Sequence, residues 1–152
     1  MELILWRHAE AEPGEPDEGR ALTAKGLKQA AKMAEWLDRN LPDTCRILVS
    51  PARRTVQTAE ALGRKFKIHP GLAPDATAEE IISIVNWPEA REPVLIVGHQ
   101  PTLGRVAALI LTGAEQDWTV RKSTALWIGR KDRGDISSTY LKAVMAPDLV
   151  GK

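Results

Sequence analysis

The sequence predicts an α/β fold: a three-layer α/β/α sandwich with a mostly parallel central sheet and a C-terminal hairpin. Three observations predict it. The short apolar runs Leu3–Trp6, Arg46–Val49 and Pro93–Val97 are continuous rather than alternating, as suits strands covered on both faces. Segments of helical periodicity lie between them, and such alternation favours helices on both faces of one sheet. After the last helix the pattern changes to two strand-like runs around Asp132-Arg133-Gly134-Asp135, a hairpin signal.

The elements follow in order. Leu3–Trp6 is the first strand. Pro13–Glu18 (PGEPDE), rich in Pro, Gly and acid, reads as a loop. Leu27, Ala30, Ala31, Ala34, Leu37 and Leu41 recur at helical spacing behind Thr23, a suitable N-cap. Arg46–Val49 is the second strand, and Ser50-Pro51 is expected to open a helix, with Ser50 as cap and Pro51 at its first position. Val56, Ala59, Leu62 and Phe66 give that helix an apolar side. Thr77 and Glu80 form a capping-box pattern for a short helix ending near Trp87-Pro88. Pro93–Val97 is the third buried strand, and Gly98-His99-Gln100-Pro101 turns into a helix carrying Leu103, Val106, Ala107 and Ile110. Ala125–Gly129 and Ser138–Val144 complete the hairpin.

The 152 residues fit one domain, expected to span 1–152. With 43% apolar and 27% charged residues the chain has the make-up of a globular protein. A net charge of +1 gives no electrostatic case for nucleic acid or an anionic membrane. Cys45 is the single cysteine, so no intramolecular disulfide or zinc-cysteine site is expected. The N-terminal apolar run stops at Arg7 and His8, short of a signal peptide, and a cytoplasmic monomer is expected.

In open α/β sheets ligands bind beyond the carboxyl ends of the strands. Those ends carry Arg7-His8, Ser50 through Arg54, and Gly98-His99. Two histidines and at least two arginines are therefore expected at one sheet edge. Arg53 and Arg54 fall in the first turn of a helix, where cations oppose the helix dipole. An anion bound there would engage the free N–H groups and an arginine together. Zinc on His8, His99 and Glu10 is the other reading, but neighbouring arginines repel a dication and attract an oxyanion. No metal and no cofactor are expected.

Four motifs in order resemble the histidine phosphatase superfamily, and its short SixA-type phosphohistidine phosphatases in particular. Arg7-His8-Ala9-Glu10 resembles the Arg-His-Gly signature followed by an acid. Arg20-Ala21-Leu22-Thr23 with Gly26 resembles the Arg-Pro-Leu-Thr segment. Ser50 through Thr58 resembles Ser-Pro-x-x-Arg-Ala-x-Gln-Thr, and Gly98-His99-Gln100-Pro101 resembles the second histidine motif. The resemblance covers nearly the whole chain and implies a minimal phosphoglycerate mutase-like fold. It implies His8 as nucleophile, Arg7 and Arg54 (not Arg53) as phosphate-binding arginines, His99 as a further phosphate contact, and Arg20 nearby. Ala9 departs from the family glycine; if that position needs φ > 0, alanine brings about 1 kcal/mol of strain.

The implied reaction is two-step phosphoryl transfer through a phosphohistidine on His8. Phosphoester-cleaving members supply an acid from an inserted segment between the second and third strand motifs. Here Phe66 to Pro93 holds only one short helix, and Glu79 and Glu80 suit its first turn. Glu10 and Glu12, which follow His8, could reach the leaving group, with Glu10 the candidate acid; a solvated acidic loop with Glu15, Asp17 and Glu18 is the other reading. General acid catalysis is worth about 10²–10⁴-fold for a poor leaving group, whereas a labile phosphoramidate needs it less. The expected substrate is therefore phosphohistidine on a protein, a phosphorelay histidine-phosphotransfer domain. The alternatives are a small phosphorylated metabolite handled by a phosphomonoesterase on the same scaffold, and a non-catalytic phosphate-binding module.

Overall fold

The computed structural model describes residues 1–151. Its strands are β1 (Glu2–Arg7), β2 (Arg46–Val49), β3 (Lys67–Ile68), β4 (Val94–Gly98), β5 (Ala125–Arg133) and β6 (Ile136–Met145). Its α-helices are α1 (Ala24–Asn40), α2 (Arg53–Glu60), α3 (Ala78–Ile84) and α4 (Thr102–Thr112). The strands form one sheet in the order β3-β2-β4-β1-β5-β6. β3, β2, β4 and β1 run parallel, and β5 and β6 extend the sheet antiparallel beside β1.

The sheet has a core on each face, which makes three layers. On one side Ile4, Trp6, Ile47, Val49, Leu95 and Val97 pack against Met33 and Leu37 of α1 and Ala59 of α2. On the other, Leu3, Leu5, Leu48, Val94 and Ile96 meet Ile81 of α3 with Leu103 and Val106 of α4. Alternate residues of each continuous apolar run thus serve opposite cores, which is why the runs do not alternate with polar residues. Trp6 is fully buried, and its indole N–H donates to the Ser123 carbonyl at 2.9 Å.

Several signals act locally as the sequence predicts. Thr23 caps α1, its hydroxyl accepting from the Gly26 N–H at 2.9 Å. Thr77 and Glu80 form both bonds of the capping box on α3. Gly113 (φ 84), which the sequence reading does not single out, ends α4 in the left-handed conformation. Gly134 (φ 60) turns the hairpin, whose strands run longer than their apolar patterns.

Three expectations are corrected. α2 starts at Arg53 with Ala52 as N-cap, so Ser50 does not cap it and Pro51 is not its first residue. The Ser50 hydroxyl is drawn instead to His99. α2 also ends at Glu60, so Leu62 and Phe66 reach the core from the following turn and loop. Leu27, placed on the buried side of α1 by spacing, is 50% exposed, because Ala30, Met33, Ala34 and Leu37 define a narrower stripe. The edge strand β3 escapes sequence reading, since two exposed residues carry no periodicity. No helix among the described residues is long and apolar enough to cross a membrane.

Candidate active site

The carboxyl ends of β1, β2 and β4 lie side by side, with Trp6 opposite Val97 and Val49 opposite Val97. His8 follows β1, and its backbone N–H donates to the Gly98 carbonyl at 3.0 Å. His99 follows β4. The two rings stand 5.5 Å apart between centroids, tilted by 55°. Both histidines are buried, at 7% and 4% exposure.

Each imidazole has a defined tautomer. His8 Nδ1 lies 2.6 Å from the Ala9 carbonyl. A carbonyl only accepts, so Nδ1 carries the hydrogen and Nε2 keeps its lone pair. His99 Nδ1 lies 3.3 Å from Arg54 Nη2, and Nε2 lies 2.7 Å from Ser50 Oγ. A guanidinium only donates, so Nδ1 accepts and Nε2–H donates to Ser50. Burial pushes His8 down to about 4, and the charges of Arg7 and Arg54 add to this against the Ala9 hydrogen bond. Burial, then Arg54, pushes His99 to about 3. Both rings are neutral at pH 7.

Arg54, on the first turn of α2, is 3% exposed, whereas Arg53 is exposed. Arg54 Nη1 donates to the Asp17 carbonyl at 2.8 Å, and Nη2 to Asp17 Oδ2 at 3.1 Å. Burial would raise the Asp17 carboxyl, but the hydrogen bond and charge of Arg54, with Arg20, outweigh it and hold it below its ordinary value. Arg20 Nε donates to Asp17 Oδ1 at 3.0 Å, so Arg20 is tied to the site through Asp17, and its charge adds to those that disfavour protonation of His8. Arg7 Nη1 donates to the Val120 carbonyl at 2.9 Å. The Nε groups of Arg7 and Arg54, and the hydroxyls of Ser123 and Thr124, are buried without a protein partner. Unpartnered buried donors on two cations fit an oxyanion ligand.

The backbone after His8 is pinned. The Ala9 N–H donates to Thr58 Oγ1 at 3.0 Å, and that hydroxyl donates to the Arg54 carbonyl at 2.7 Å. The nucleophile candidate and the arginine helix thus share one side chain. Among the described residues the non-glycine positions with positive φ are Asn86 and Ser123, so Ala9 bears no left-handed strain. Its methyl is buried against Leu22 and Ala30.

Glu10 is poorly placed to act as an acid. Its Oε2 accepts from Thr23 Oγ1 at 2.8 Å and its Oε1 lies 3.6 Å from Lys122 Nζ. The Thr23 hydrogen bond, with Lys122, holds this carboxyl below its ordinary value, so it stays ionised. Asp17, Ser50 and Thr58 are the contributors that sequence reasoning missed as participants. Ser50 and Thr58 stand in the same segment as Arg54, but Asp17 lies in an acidic loop that reads as solvated. No group of three or more His, Cys, Asp or Glu side chains is arranged to hold a metal among the described residues.

Comparison with known proteins places this arrangement. The profile of the histidine phosphatase superfamily (branch 1) matches residues 3–80. A Haemophilus influenzae protein, described as a phosphohistidine phosphatase SixA homolog, is 33% identical over 124 residues, 71% of this chain and 76% of the relative. Phosphohistidine phosphatase SixA of Escherichia coli is 28% identical over 124 residues, 74% of this chain and 76% of the relative. A solved structure of the protein histidine phosphatase SixA complexed with tungstate superposes with a TM-score of 0.76 at 25% identity, covering 97% of this chain and 98% of that one. The chain belongs to the histidine phosphatase superfamily, and it is a phosphatase with the phosphoglycerate mutase-like fold of that family. Within the superfamily it is of the SixA type.

Proposed function

We propose that this phosphatase removes the phosphoryl group from phosphohistidine on a histidine-phosphotransfer protein, through a covalent phosphohistidine on His8. The observation that carries the reading is the His8 imidazole, held neutral with its Nδ1–H on the Ala9 carbonyl and Nε2 bare beside two arginines. In the first step the Nε2 lone pair forms a bond to phosphorus as the substrate's P–N bond breaks, and the substrate's imidazole, already protonated on its other ring nitrogen, leaves as the neutral ring. In the second, water attacks the phosphoenzyme, inorganic phosphate departs and His8 recovers its lone pair. Arg7 and Arg54 bind the equatorial oxygens, on which charge spreads in the transition state.

His99 contributes as a positioning residue: Nδ1 accepts from Arg54 and Nε2–H donates to Ser50, so the ring orients Arg54 toward the phosphoryl oxygens. The positive charge comes from the two arginines, so the reaction requires no metal, and turnover is expected to survive EDTA. No carboxylic acid stands ready for an ester leaving group: Glu10 is held as the anion, and so is Asp17. This favours a phosphoramidate over an alkyl phosphate. The named relatives are phosphohistidine phosphatases, which supports the same substrate class.

The test is acid-quench trapping with a ³²P-labelled phosphohistidine protein. An acid-labile, base-stable adduct on His8, absent from His8→Ala, is expected. Faster turnover of sugar phosphates than of the phosphohistidine protein would favour the small-molecule alternative. Binding without any turnover would favour the interaction module.

A further inference from the structure

A cleft of about 600 Å³ opens beside the site, with Arg7 and Thr124 at its inner end. Lys25, Lys28 and Lys32 of α1 line one wall, and Arg121 and Lys122 line the other. The lysines recur at i, i+3 and i+7, hence on one helix face over about 10 Å. The five cations of the two walls are exposed. Among the described residues only Lys122 meets a carboxylate, that of Glu10 at 3.6 Å. Asp148 is the other acid of the lining.

The arrangement works against the helix that carries it. α1 has no acidic residue in its first turn, and Lys25 sits there against the positive end of the dipole. Three like charges on one face also repel their neighbours at i+3 and i+4. The whole chain is near neutrality at +1, so this patch is a local concentration of charge rather than a general basicity. At the inner end the Thr124 hydroxyl, on a residue 7% exposed, is buried without a partner.

We infer that this cleft receives an acidic polypeptide surface flanking the phosphorylated residue of the substrate, with carboxylates spaced along one helix face to meet Lys25, Lys28 and Lys32. The inference rests on the phosphoprotein reading of the site. A small polyanion is held by a few fixed, buried donors. Long exposed lysines on a helix suit an extended charged partner, which they steer and orient.

The experiment uses two helical phosphohistidine peptides, one with three Glu at i, i+3 and i+7 beside the phosphohistidine and one with Gln there. Free phosphoramidate reports the site alone. The wild type is expected to prefer the Glu peptide at least tenfold in kcat/KM at low salt, with the preference collapsing in 0.5 M NaCl. In Lys25→Gln/Lys28→Gln/Lys32→Gln the preference should vanish while phosphoramidate turnover is kept. Should that variant lose phosphoramidate turnover, Arg121→Gln/Lys122→Gln supplies the same comparison from the opposite wall. Equal rates on the two peptides, or a preference that survives both variants, overturns the inference. So does equal peptide turnover combined with tripolyphosphate inhibition in wild type alone, which would assign the cleft to a small polyanion. If neither phosphohistidine peptide is hydrolysed, the affinities of phosphoserine peptides with the same Glu or Gln flanks still report on the cleft, so failure of the substrate reading is distinguishable.

Discussion

Arg54 stands where a helix least favours a cation, yet it is buried and held by Asp17 and His99. Such a placement persists because both terminal nitrogens of the guanidinium have partners, while its unpartnered Nε is one of the site's two orphan cationic donors. Arg54→Ala is expected to lower kcat/KM with phosphoramidate by at least about 10²–10³-fold, the loss typical for one preorganised donor at developing charge. Arg54→Lys should recover little of it, because a point charge cannot serve Asp17, His99 and a phosphoryl oxygen at once. Near-normal turnover of Arg54→Ala would contradict the proposed role. The same residue shows how legibility was divided. Arg54 was recognisable from its spacing in a motif and from its awkward helix position. Asp17, its main partner, was not, because only the folded loop brings residue 17 beside residue 54, and nothing local marks it among neighbouring acids.

At the level of elements, α1 does more than cover the sheet. Gly26 lets the helix pass directly against the backbone of Glu10, since a Cβ there would overlap the Glu10 carbonyl. The Thr23 N–H donates to that same carbonyl at 3.0 Å, and Gln29 Oε1 accepts from the Glu10 N–H at 3.0 Å. α1 therefore clamps the loop that emerges from His8. Gly26→Ala should gain slightly in helix propensity yet lose stability, because backbone cannot yield as a side-chain tip can. A fall in Tm together with a fall in kcat is expected. An unchanged Tm would show that the close approach relaxes without cost. Helix and strand identities were legible wherever apolar spacing was long enough to be distinctive. The start of α2 was not, because Ser50-Pro51 is a sound helix signal, yet the Ser50 hydroxyl accepts from His99 and from the Ala52 N–H ahead of the helix rather than from its first turn.

Over the whole molecule, burial of two neutral imidazoles links stability to pH. His8 and His99 are pushed to about 4 and about 3 in the folded protein, against about 6.5 in an unfolded chain. Between those values the unfolded state binds more protons than the native state, so stability falls as pH falls. The loss should begin near pH 6.5 and steepen toward pH 4, approaching about 1.4 kcal/mol per pH unit for each imidazole. Urea unfolding at pH 7, 6, 5 and 4.5 measures it, and His99→Gln should reduce the slope by up to half. A flat profile from pH 7 to 5 would contradict the buried neutral state of both rings. The layered architecture was legible because parallel strands must be covered on both faces. The strand order was not, since no local signal says that β4 separates β1 from β2 or that β5 lies on the other side of β1.

The central position of β1 has a consequence for how the protein is made. β1 leaves the ribosome well before both its hydrogen-bonding neighbours, β4 and β5, which follow α3 in the sequence. The indole bond from Trp6 closes across 117 residues. Until β4 is made, the strand that carries His8 has no neighbour to pair with, so the arrangement of His8, Arg54 and His99 cannot form piecemeal. Competence arrives in a single late event, when the chain reaches the residues of β5 and the strand is enclosed from both sides.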